Sequence, residues 1–259
     1  MVISGFEELK GRLGDISPVP AVVAAANDRH TLQAVLDASR DGILHPILVG
    51  ERSALTAVAH ELDFPLPPEQ IVVGAGTEYL YNLLVQLLGR DRVYGVEDPG
   101  YSKAGRVYAL NGAACVCLPV DGQGVDPAQA EGSGADILHL SPNHQFPTGA
   151  VMPIARRQSL LRWAGEAPGR YLIEDDYDSE FRYKGKPIPA LQGYDVHGRV
   201  IYLGTFSKSI APAIRLSYMV LPEELAETYR ERLGFVHSTV SKVDQMIVTR
   251  FLEEGHYER

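Results

Sequence analysis

The feature that most constrains this chain is an apolar, partly β-branched run from Val200 to Leu203 that ends at Gly204 and leads into a polar loop. Runs of this kind are typical of buried strands. The loop carries Lys208 among several hydroxyls, those of Thr205, Ser207 and Ser209. A lysine held beside low-dielectric surroundings can lose its proton, and its neutral amine can then form a Schiff base with an aldehyde. We therefore expect Lys208 to be a nucleophile.

Bulk properties narrow the classes of function. The 259 residues are 45% hydrophobic and 22% charged, which is ordinary for a globular protein. The formal net charge of −9 argues against nucleic acid or an acidic membrane surface as the main partner. The sequence has no signal-peptide pattern and no apolar run long enough to span a bilayer. We expect a cytoplasmic protein without a membrane segment.

Cysteine and histidine spacing gives no sign of a metal site. Cys115 and Cys117 lie two residues apart in a strand-like segment, so we expect them to be buried on one face as small apolar residues. The eight histidines show no metal-ligand spacing. The acidic segment 174–180 has the composition of a divalent-cation site, but no P-loop accompanies it. The alternative is that Asp175, at the end of a strand, faces a cationic ring nitrogen, and we predict no bound metal.

Residues 1–65 are predicted to form a short α/β unit. A helical pattern covers 6–13, and strand patterns at Ala21–Ala26 and Pro46–Gly50 flank a second helix, which implies a parallel crossover. Segments 6–13, 22–28 and 42–50 resemble the N-terminus of phosphate acetyl/butyryltransferases, without any of that family's functional residues. A proline-dense stretch, 62–68, predicts a boundary between domains 1–65 and 66–259.

A candidate anion site follows that boundary. The strand pattern 71–73 leads into Gly74-Ala75-Gly76-Thr77-Glu78 and then into an amphipathic helix. A glycine-rich turn that opens a helix leaves unpaired N–H groups aimed at one point. The next strand pattern, 93–97, ends at a Pro-Gly turn before Tyr101. That tyrosine either packs in the core or lays its ring on a planar ligand.

Further polar residues follow later strand patterns. The loop 141–149 carries Asn143 and His144, which either line a pocket or are solvated or locally bonded loop side chains. The predicted helix 153–164 has an arginine pair on its solvated side. Arg215 lies seven residues after Lys208 and offers a forked donor suited to phosphate.

From about residue 67 to 259 the chain strongly resembles the aminotransferase-like domain of MocR/GabR-type bacterial regulators, which are fold-type-I pyridoxal-phosphate proteins. The motifs that carry the resemblance are 97–101, 141–149, 174–183, 204–209 and 251–259. The resemblance implies an α/β fold, the large domain of PLP-dependent transferases. It consists of a mixed, mostly parallel sheet with helices on both faces, preceded here by the short α/β unit.

The resemblance also implies roles for individual residues. Lys208 forms the internal aldimine with pyridoxal 5'-phosphate, Asp175 pairs with the pyridine nitrogen, Tyr177 bonds the ring hydroxyl and Tyr101 stacks on the ring. The phosphate is held by six residues: Gly76, Thr77, Glu78, Thr205, Ser207 and Arg215. The catalytic set is Lys208, Asp175 and Tyr177.

Two departures from the family pattern bear on function. Phe146 stands where ordinary aminotransferases carry an asparagine that touches the ring hydroxyl. The loop of MocR-type regulators resembles this chain in that departure. The sequence stops at Arg259, so we expect a truncated or hybrid chain without the small C-terminal domain, its carboxylate-binding arginine and the winged-helix DNA reader. Lys103 is a candidate substitute for that arginine.

The leading hypothesis is a PLP-binding, aminotransferase-type domain that acts on an amino acid or amine and forms a homodimer. Truncation of the family's small domain can remove its catalysis. One alternative is a sensor domain of a transcriptional regulator that binds PLP and an amino compound without turnover. A second alternative, from the N-terminal resemblance, is a phosphate acyltransferase fragment.

Overall fold

The computed structural model describes residues 19–24, 44–49, 68–178, 189–254 and 256. The chain divides into two compact units, Met1–Pro68 and Glu69–Arg259. In the first unit, β1 (Val19–Ala24) pairs in parallel with β2 (Leu44–Val49). Each strand begins two residues before its predicted start. The two helices predicted for this unit, and part of the 174–183 motif, lie outside the described residues.

In its described part, the second unit is built on an eight-stranded sheet with the order β3-β10-β9-β8-β7-β4-β5-β6. Its strands are β3 (Ile71–Gly74), β4 (Val93–Asp98), β5 (Ala114–Asp121), β6 (Gly124–Val125), β7 (Ile137–Leu140), β8 (Tyr171–Asp176), β9 (Val200–Thr205) and β10 (Ser217–Val220). The neighbours from β9 through β5 pair in parallel, whereas β10 is antiparallel to β3 and β9, and β6 is antiparallel to β5. The predicted mixed, mostly parallel sheet is confirmed.

The described helices of this unit are α1 (Thr77–Leu88), α2 (Ser102–Leu110), α3 (Pro127–Gly132), α4 (Ile154–Gly165), α5 (Phe206–Ser209), α6 (Glu223–Leu233) and α7 (Lys242–Glu253). Short 3₁₀ turns occupy Pro68–Gln70 and Gln192–Tyr194. Within the described segments, no helix combines the length and the apolar character that crossing a bilayer requires.

Two apolar cores cover the two faces of the sheet. Successive residues of a strand point to opposite faces, so Leu172 and Ile173 of β8 enter different cores. The core on one face also contains buried residues of α1, α2 and α6, among them Leu80, Leu84, Tyr108 and Leu225. The core on the other face contains buried residues of α3 and α4, among them Ala130, Leu160 and Trp163. The predicted helices on both faces are therefore present.

Strand direction brings the polar loops to one edge of the sheet. Because β10 is antiparallel to both β3 and β9, those two strands run the same way as the parallel strands. Ser217 of β10 lies opposite Gly74 on one side and Thr205 on the other. The glycine turn that follows β3 and the lysine loop that follows β9 therefore lie at the same edge, as the ends of β4, β7 and β8 do.

Two predictions about burial were wrong. Arg157 is fully buried, because its guanidinium donates hydrogen bonds to the carbonyl oxygens of Met152, Pro142 and Pro189 and to Oδ1 of Asn143. A charged side chain can stay inside when hydrogen bonds replace its hydration. The two cysteines of β5 are both exposed. Strand β5 lies near the end of the sheet, beside the two-residue strand β6, so its surface is less covered than that of a central strand.

The contribution of the helical layer to stability can be measured at Leu84, which is 0% exposed on α1. We expect Leu84→Ala to lower the free energy of unfolding by about 2–5 kcal/mol, since it removes buried methyl groups and leaves a cavity. The matched control is Leu110→Ala at the end of α2, where the side chain is 86% exposed, and the expected change is within about 0.5 kcal/mol. Urea denaturation measures both, and equal losses would contradict the proposed core.

Candidate functional site

The glycine turn after β3 has the geometry of an anion site. Gly76 adopts a φ of 94°, in the region that favours glycine, and offers no side chain to cap α1. A Cβ at this position would lie 2.5 Å from Nη2 of Arg215. The guanidinium therefore rests directly on the turn at the start of a twelve-residue helix. A helix N-terminus next to an arginine favours a bound anion.

The carboxylate of Glu78 stands beside this turn. Its Oε1 lies 3.0 Å from Nζ of Lys103, and its Oε2 lies 3.3 Å from Nη2 of Arg215. Burial works to raise the pKa of Glu78, but a backbone hydrogen bond and the charges of Lys103 and Arg215 outweigh it and lower the pKa. A negatively charged side chain repels an anion, so Glu78 can offer an anion only its backbone N–H.

The lysine loop begins with a capped turn. Oγ1 of Thr205 accepts hydrogen bonds from the backbone N–H of Ser207 (3.3 Å) and from the hydroxyl of Ser217 (2.9 Å). The hydroxyl of Ser207 donates to the carbonyl of Ile214 at 2.9 Å. Both hydroxyls therefore fix the loop that lies next to the glycine turn.

Lys208 is exposed, and its Nζ lies 4.1 Å from the centre of the Tyr177 ring. The low-dielectric surroundings expected from the sequence are thus limited to one aromatic face. An ammonium at this distance from a tyrosine ring is held by the ring quadrupole. The contact joins the loop after β9 to the end of β8.

A buried network surrounds Asp175 at the end of β8. Its Oδ2 accepts a hydrogen bond from the Tyr81 hydroxyl at 2.5 Å and lies 3.1 Å from Nε2 of His139. The other ring nitrogen of His139, Nδ1, lies 2.6 Å from the Tyr108 hydroxyl. Burial, and for Tyr81 the charge of Asp175, raise the pKa of both tyrosines well above the usual value. Both phenols therefore keep their protons and act as donors.

The loop after β7 packs on the acidic segment. The His144 ring stacks on Tyr177 with 5.8 Å between centroids, and its Nδ1 lies 2.6 Å from Oδ2 of Asp178. Nδ2 of Asn143 donates to Oδ2 of Asp176 at 3.0 Å. Both side chains of this loop therefore contact carboxylates of the acidic segment. The residues that the structure describes contain no cluster of three or more side chains suited to hold a metal ion.

Glu97, at the end of β4, anchors the same loop. Its Oε2 accepts hydrogen bonds from the backbone N–H of Ser141 (3.3 Å) and from Nε2 of Gln145 (3.2 Å). Its Oε1 is buried and has no partner among the described residues. Burial, with the nearby charge of Asp175, raises the pKa of Glu97 to about 7, against the effect of these hydrogen bonds.

The predicted site residues fall into two groups at one edge of the sheet. Gly76, Thr77 and Glu78 surround the N-terminus of α1 with Arg215, and Thr205 and Ser207 belong to the adjacent loop. Asp175 lies at the end of β8 and Tyr177 directly follows that strand, whereas Lys208 lies in the short helix α5 that follows β9. Tyr101 lies at the start of α2, where its ring meets Phe146 edge-on at 6.2 Å and its hydroxyl lies 3.5 Å from Oε1 of Glu78.

Sequence reasoning missed Tyr81, Tyr108 and His139, the residues that enclose Asp175. The one available signal was His139 itself, a polar residue in the otherwise apolar strand Ile137–Leu140. The tyrosines had no signal, because they occupy helix positions that any large apolar residue could fill.

A glycine turn that opens a helix, a carboxylate at a strand end and a lysine in the short helix after the next strand share one edge of a mostly parallel sheet. This arrangement is typical of pyridoxal-phosphate-dependent transferase folds. The family model "Aminotransferase class I and II" matches residues 8–257. The chain belongs to this family, and the family indicates pyridoxal phosphate as its cofactor.

Among curated proteins, the chain is similar to the HTH-type transcriptional regulator YdeL of Bacillus subtilis, at 41% identity over 74% of this chain and 41% of the relative. It is also similar to the probable rhizopine catabolism regulatory protein MocR of Rhizobium meliloti, at 34% identity over 73% of this chain and 38% of the relative. The chain thus spans about two fifths of the length of these relatives. The predicted resemblance to MocR-type regulators is confirmed.

Among solved structures, the α-aminoadipate aminotransferase LysN of Thermus thermophilus, complexed with N-(5'-phosphopyridoxyl)-L-leucine, matches with a TM-score of 0.66 and 27% identity. The match covers 78% of this chain and 54% of LysN. The kynurenine aminotransferase of Pyrococcus horikoshii has the same TM-score at 23% identity, over 100% of this chain and 69% of its own. At that identity the second match shows the fold alone.

Burial of Glu97 predicts a pH-dependent stability. The folded-state pKa of about 7 lies above the ordinary 4.5, so folding is favoured at low pH and loses stability as the pH rises from 4.5 to 7. Glu97→Gln removes the ionisable group. We expect the free energy of unfolding of the variant, relative to that of the native protein, to rise by up to about 3 kcal/mol across that pH range. Denaturant unfolding at pH 5, 6, 7 and 8 measures the difference. Parallel stability curves would show that Glu97 ionises freely.

Proposed function

We propose that this chain binds pyridoxal 5'-phosphate through Nζ of Lys208 and handles an amino acid or amine as an aminotransferase-type domain. The observation that carries the proposal is the pairing of Lys208 with Tyr177, 4.1 Å from its ring, next to the enclosed carboxylate of Asp175. Asp175 lies at the end of β8 and Lys208 in the short helix that follows the adjacent parallel strand β9, so a planar ring could meet both.

The phosphate would bind at the start of α1. The glycine at position 76 leaves a cradle that a Cβ would fill, and Arg215 lies against that cradle. The backbone N–H groups of Thr77 and Glu78 belong to the open first turn of the helix. Thr205 and Ser207 would border the phosphate, and the Glu78 carboxylate would keep its pairing with Lys103.

The ring would be held by residues of three elements. Oδ1 of Asp175 has no hydrogen-bond partner among the described residues, so it is open to the ring nitrogen. The hydroxyl of Tyr177 would bond the ring hydroxyl, and Tyr101 would stack on the ring face. Phe146 lies edge-on to Tyr101 and would limit the movement of that ring.

When bound, pyridoxal phosphate supplies an electron sink that stabilises negative charge at the α-carbon of an amino substrate. Asp175 would support this chemistry, because a carboxylate at the ring nitrogen keeps that nitrogen protonated. Nζ of Lys208 would move the proton at the α-carbon once it is released from the cofactor. Its exposure gives it the freedom to reach the substrate.

A second candidate function is ligand sensing without turnover. It is favoured by the relatives, since YdeL and MocR are both regulators. The same residues would bind the cofactor and an amino-compound effector, and the whole protein would act in transcription regulation. Under either function we propose a cytoplasmic homodimer. Addition of an amino acid and a keto acid to the PLP-loaded chain separates the two, because only an enzyme transfers the amino group.

We propose the domain division 1–65 and 66–259, with the first part serving as a structural α/β unit. The parallel pairing of β1 with β2 agrees with a crossover of this type. The phosphate acyltransferase alternative predicts consumption of acyl-CoA and phosphate, and an assay for free CoA tests it. The family match begins at residue 8, which favours the aminotransferase-type interpretation for most of the chain.

The covalent role of Lys208 is tested by Lys208→Ala. We expect the native chain mixed with PLP to gain an absorbance band near the visible edge, and borohydride reduction to fix the cofactor on the peptide that contains Lys208. The variant should show neither, since its side chain has no amine. Lys242→Ala at the exposed start of α7 is the matched control and should behave like the native chain. Label on another lysine, or none, refutes the proposal.

The phosphate role of Arg215 is tested with a pair of ligands. We expect Arg215→Met to weaken binding of PLP by at least about tenfold, because a charge-assisted hydrogen bond to phosphate is lost. Binding of pyridoxal, which lacks the phosphate, should be unchanged. Lys103→Met, which removes the other cation next to Glu78, should have a smaller effect. An equal loss for PLP and pyridoxal in Arg215→Met would exclude a phosphate contact.

A further inference from the structure

We propose that Tyr81, His139 and Tyr108 are positioning residues that commit one oxygen of Asp175 to the protein and reserve the other for the cofactor's ring nitrogen. The inference rests on the proposed function, since it concerns how Asp175 meets that nitrogen. It assigns roles to three buried side chains whose hydrogen bonds, among the described residues, join them to Asp175 and to each other and not to Lys208 or Arg215.

The first step is the protonation of Tyr108. Its side chain is 0% exposed, and its phenol has one hydrogen-bond partner in the described structure, Nδ1 of His139 at 2.6 Å. A buried hydroxyl that does not donate its proton is costly. The Tyr108 hydroxyl therefore donates, and Nδ1 of His139 accepts and carries no proton.

The second step follows for the other ring nitrogen. A neutral imidazole carries one proton, so the acceptor role of Nδ1 puts the proton of His139 on Nε2. Nε2 lies 3.1 Å from Oδ2 of Asp175 and donates to it. Tyr108 thus fixes the histidine tautomer that serves the carboxylate, although its own hydroxyl is bonded to His139 and not to Asp175.

The third step concerns the carboxylate. Oδ2 accepts from Tyr81 at 2.5 Å as well as from His139, so its two lone-pair directions are used and it carries no proton. Oδ1 has no partner among the described residues, and the side chain keeps 8% of its surface exposed. Rotation of the carboxylate that exchanges Oδ1 and Oδ2 would break both hydrogen bonds. Oδ1 is therefore the oxygen presented to a ligand.

The three supporting side chains come from rigid elements. Tyr81 belongs to α1, one turn after the start of the helix at Thr77, Tyr108 to α2, and His139 to the central strand β7. Their rings also pack on each other, with the Tyr81 and His139 centroids 5.1 Å apart in an edge-on arrangement. The network therefore holds Asp175 before any ligand arrives, which lowers the entropic cost of binding.

The test compares two ligands on the full chain: PLP, and an analogue in which C–H replaces the ring nitrogen. Both carry the aldehyde and the phosphate, so only the contact with Asp175 distinguishes them. We expect the native chain to prefer PLP in equilibrium dialysis. Tyr81→Phe and His139→Leu should lower PLP affinity by about tenfold, as expected for loss of a hydrogen bond to a charged group. The affinity for the analogue should stay within about twofold.

Two further variants complete the test. His139→Gln offers an amide N–H to Asp175 and should retain more of the preference than His139→Leu. Tyr108→Phe should reduce the preference for PLP although it removes no hydrogen bond of Asp175. Without the tyrosine hydroxyl, the proton of His139 is no longer confined to Nε2, the nitrogen that donates to Asp175. The matched control is Tyr94→Phe, since Tyr94 is equally buried, packs on Tyr108 with centroids 4.6 Å apart and donates its hydroxyl to the Gly89 carbonyl instead. It should leave the preference unchanged.

The outcomes separate this inference from the proposed function. Equal losses for both ligands in Tyr81→Phe and Tyr108→Phe would mean that the tyrosines only support packing, and would overturn the inference. An unchanged preference in both variants would overturn it as well. If the native chain is labelled on Lys208 but does not prefer PLP, the inference fails while the proposed function stands. If Lys208 is never labelled, the proposed function itself fails.

Discussion

The burial of Asp175 is the constraint on which the site depends. A carboxylate removed from water is costly unless donors replace its hydration. Here the donors come from α1 and β7, and α2 supports them through Tyr108. The helix that opens with the glycine turn also carries Tyr81, so one element serves both the candidate anion site and the carboxylate. Elements far apart in sequence must therefore be packed correctly before the site exists.

A second constraint is charge balance at the exposed end of the site. Lys103 and Arg215 both pair with one carboxylate, that of Glu78. Among the ion pairs of the described residues, neither cation has a second acidic partner. Each of these ion pairs is exposed enough to be weak. The arrangement leaves Arg215 able to exchange partners, which a fully buried ion pair would not permit. The carboxylate of Asp175 is thus buried among neutral donors, whereas the ion pairs of Glu78 stand at the exposed end of the site.

Much of the fold could be predicted from the sequence. Strand runs such as Val200–Leu203 and the amphipathic helix after Gly76 were recognisable because their periodicity and glycine boundaries are local properties. The same local rules failed for Arg157, which looked solvated in a polar helix but satisfies its donors on carbonyls from distant loops. The resemblance to MocR-type regulators supplied the candidate residues, and strand order explains why residues so far apart in sequence share one edge.

The sequence by itself determined the succession of strands, turns and helices along the chain and the resemblance to the family. It also identified the aspartate at the end of one strand and the lysine just after another, because each lies in a short, recognisable run of residues. Only the tertiary structure decided which oxygen of Asp175 is committed and which is open. That choice depends on Tyr81, Tyr108 and His139, which meet through side-chain hydrogen bonds across three elements. Hydrogen-bond partners separated by 31 to 94 residues leave no local pattern; packing of the two helices against the sheet brings them together.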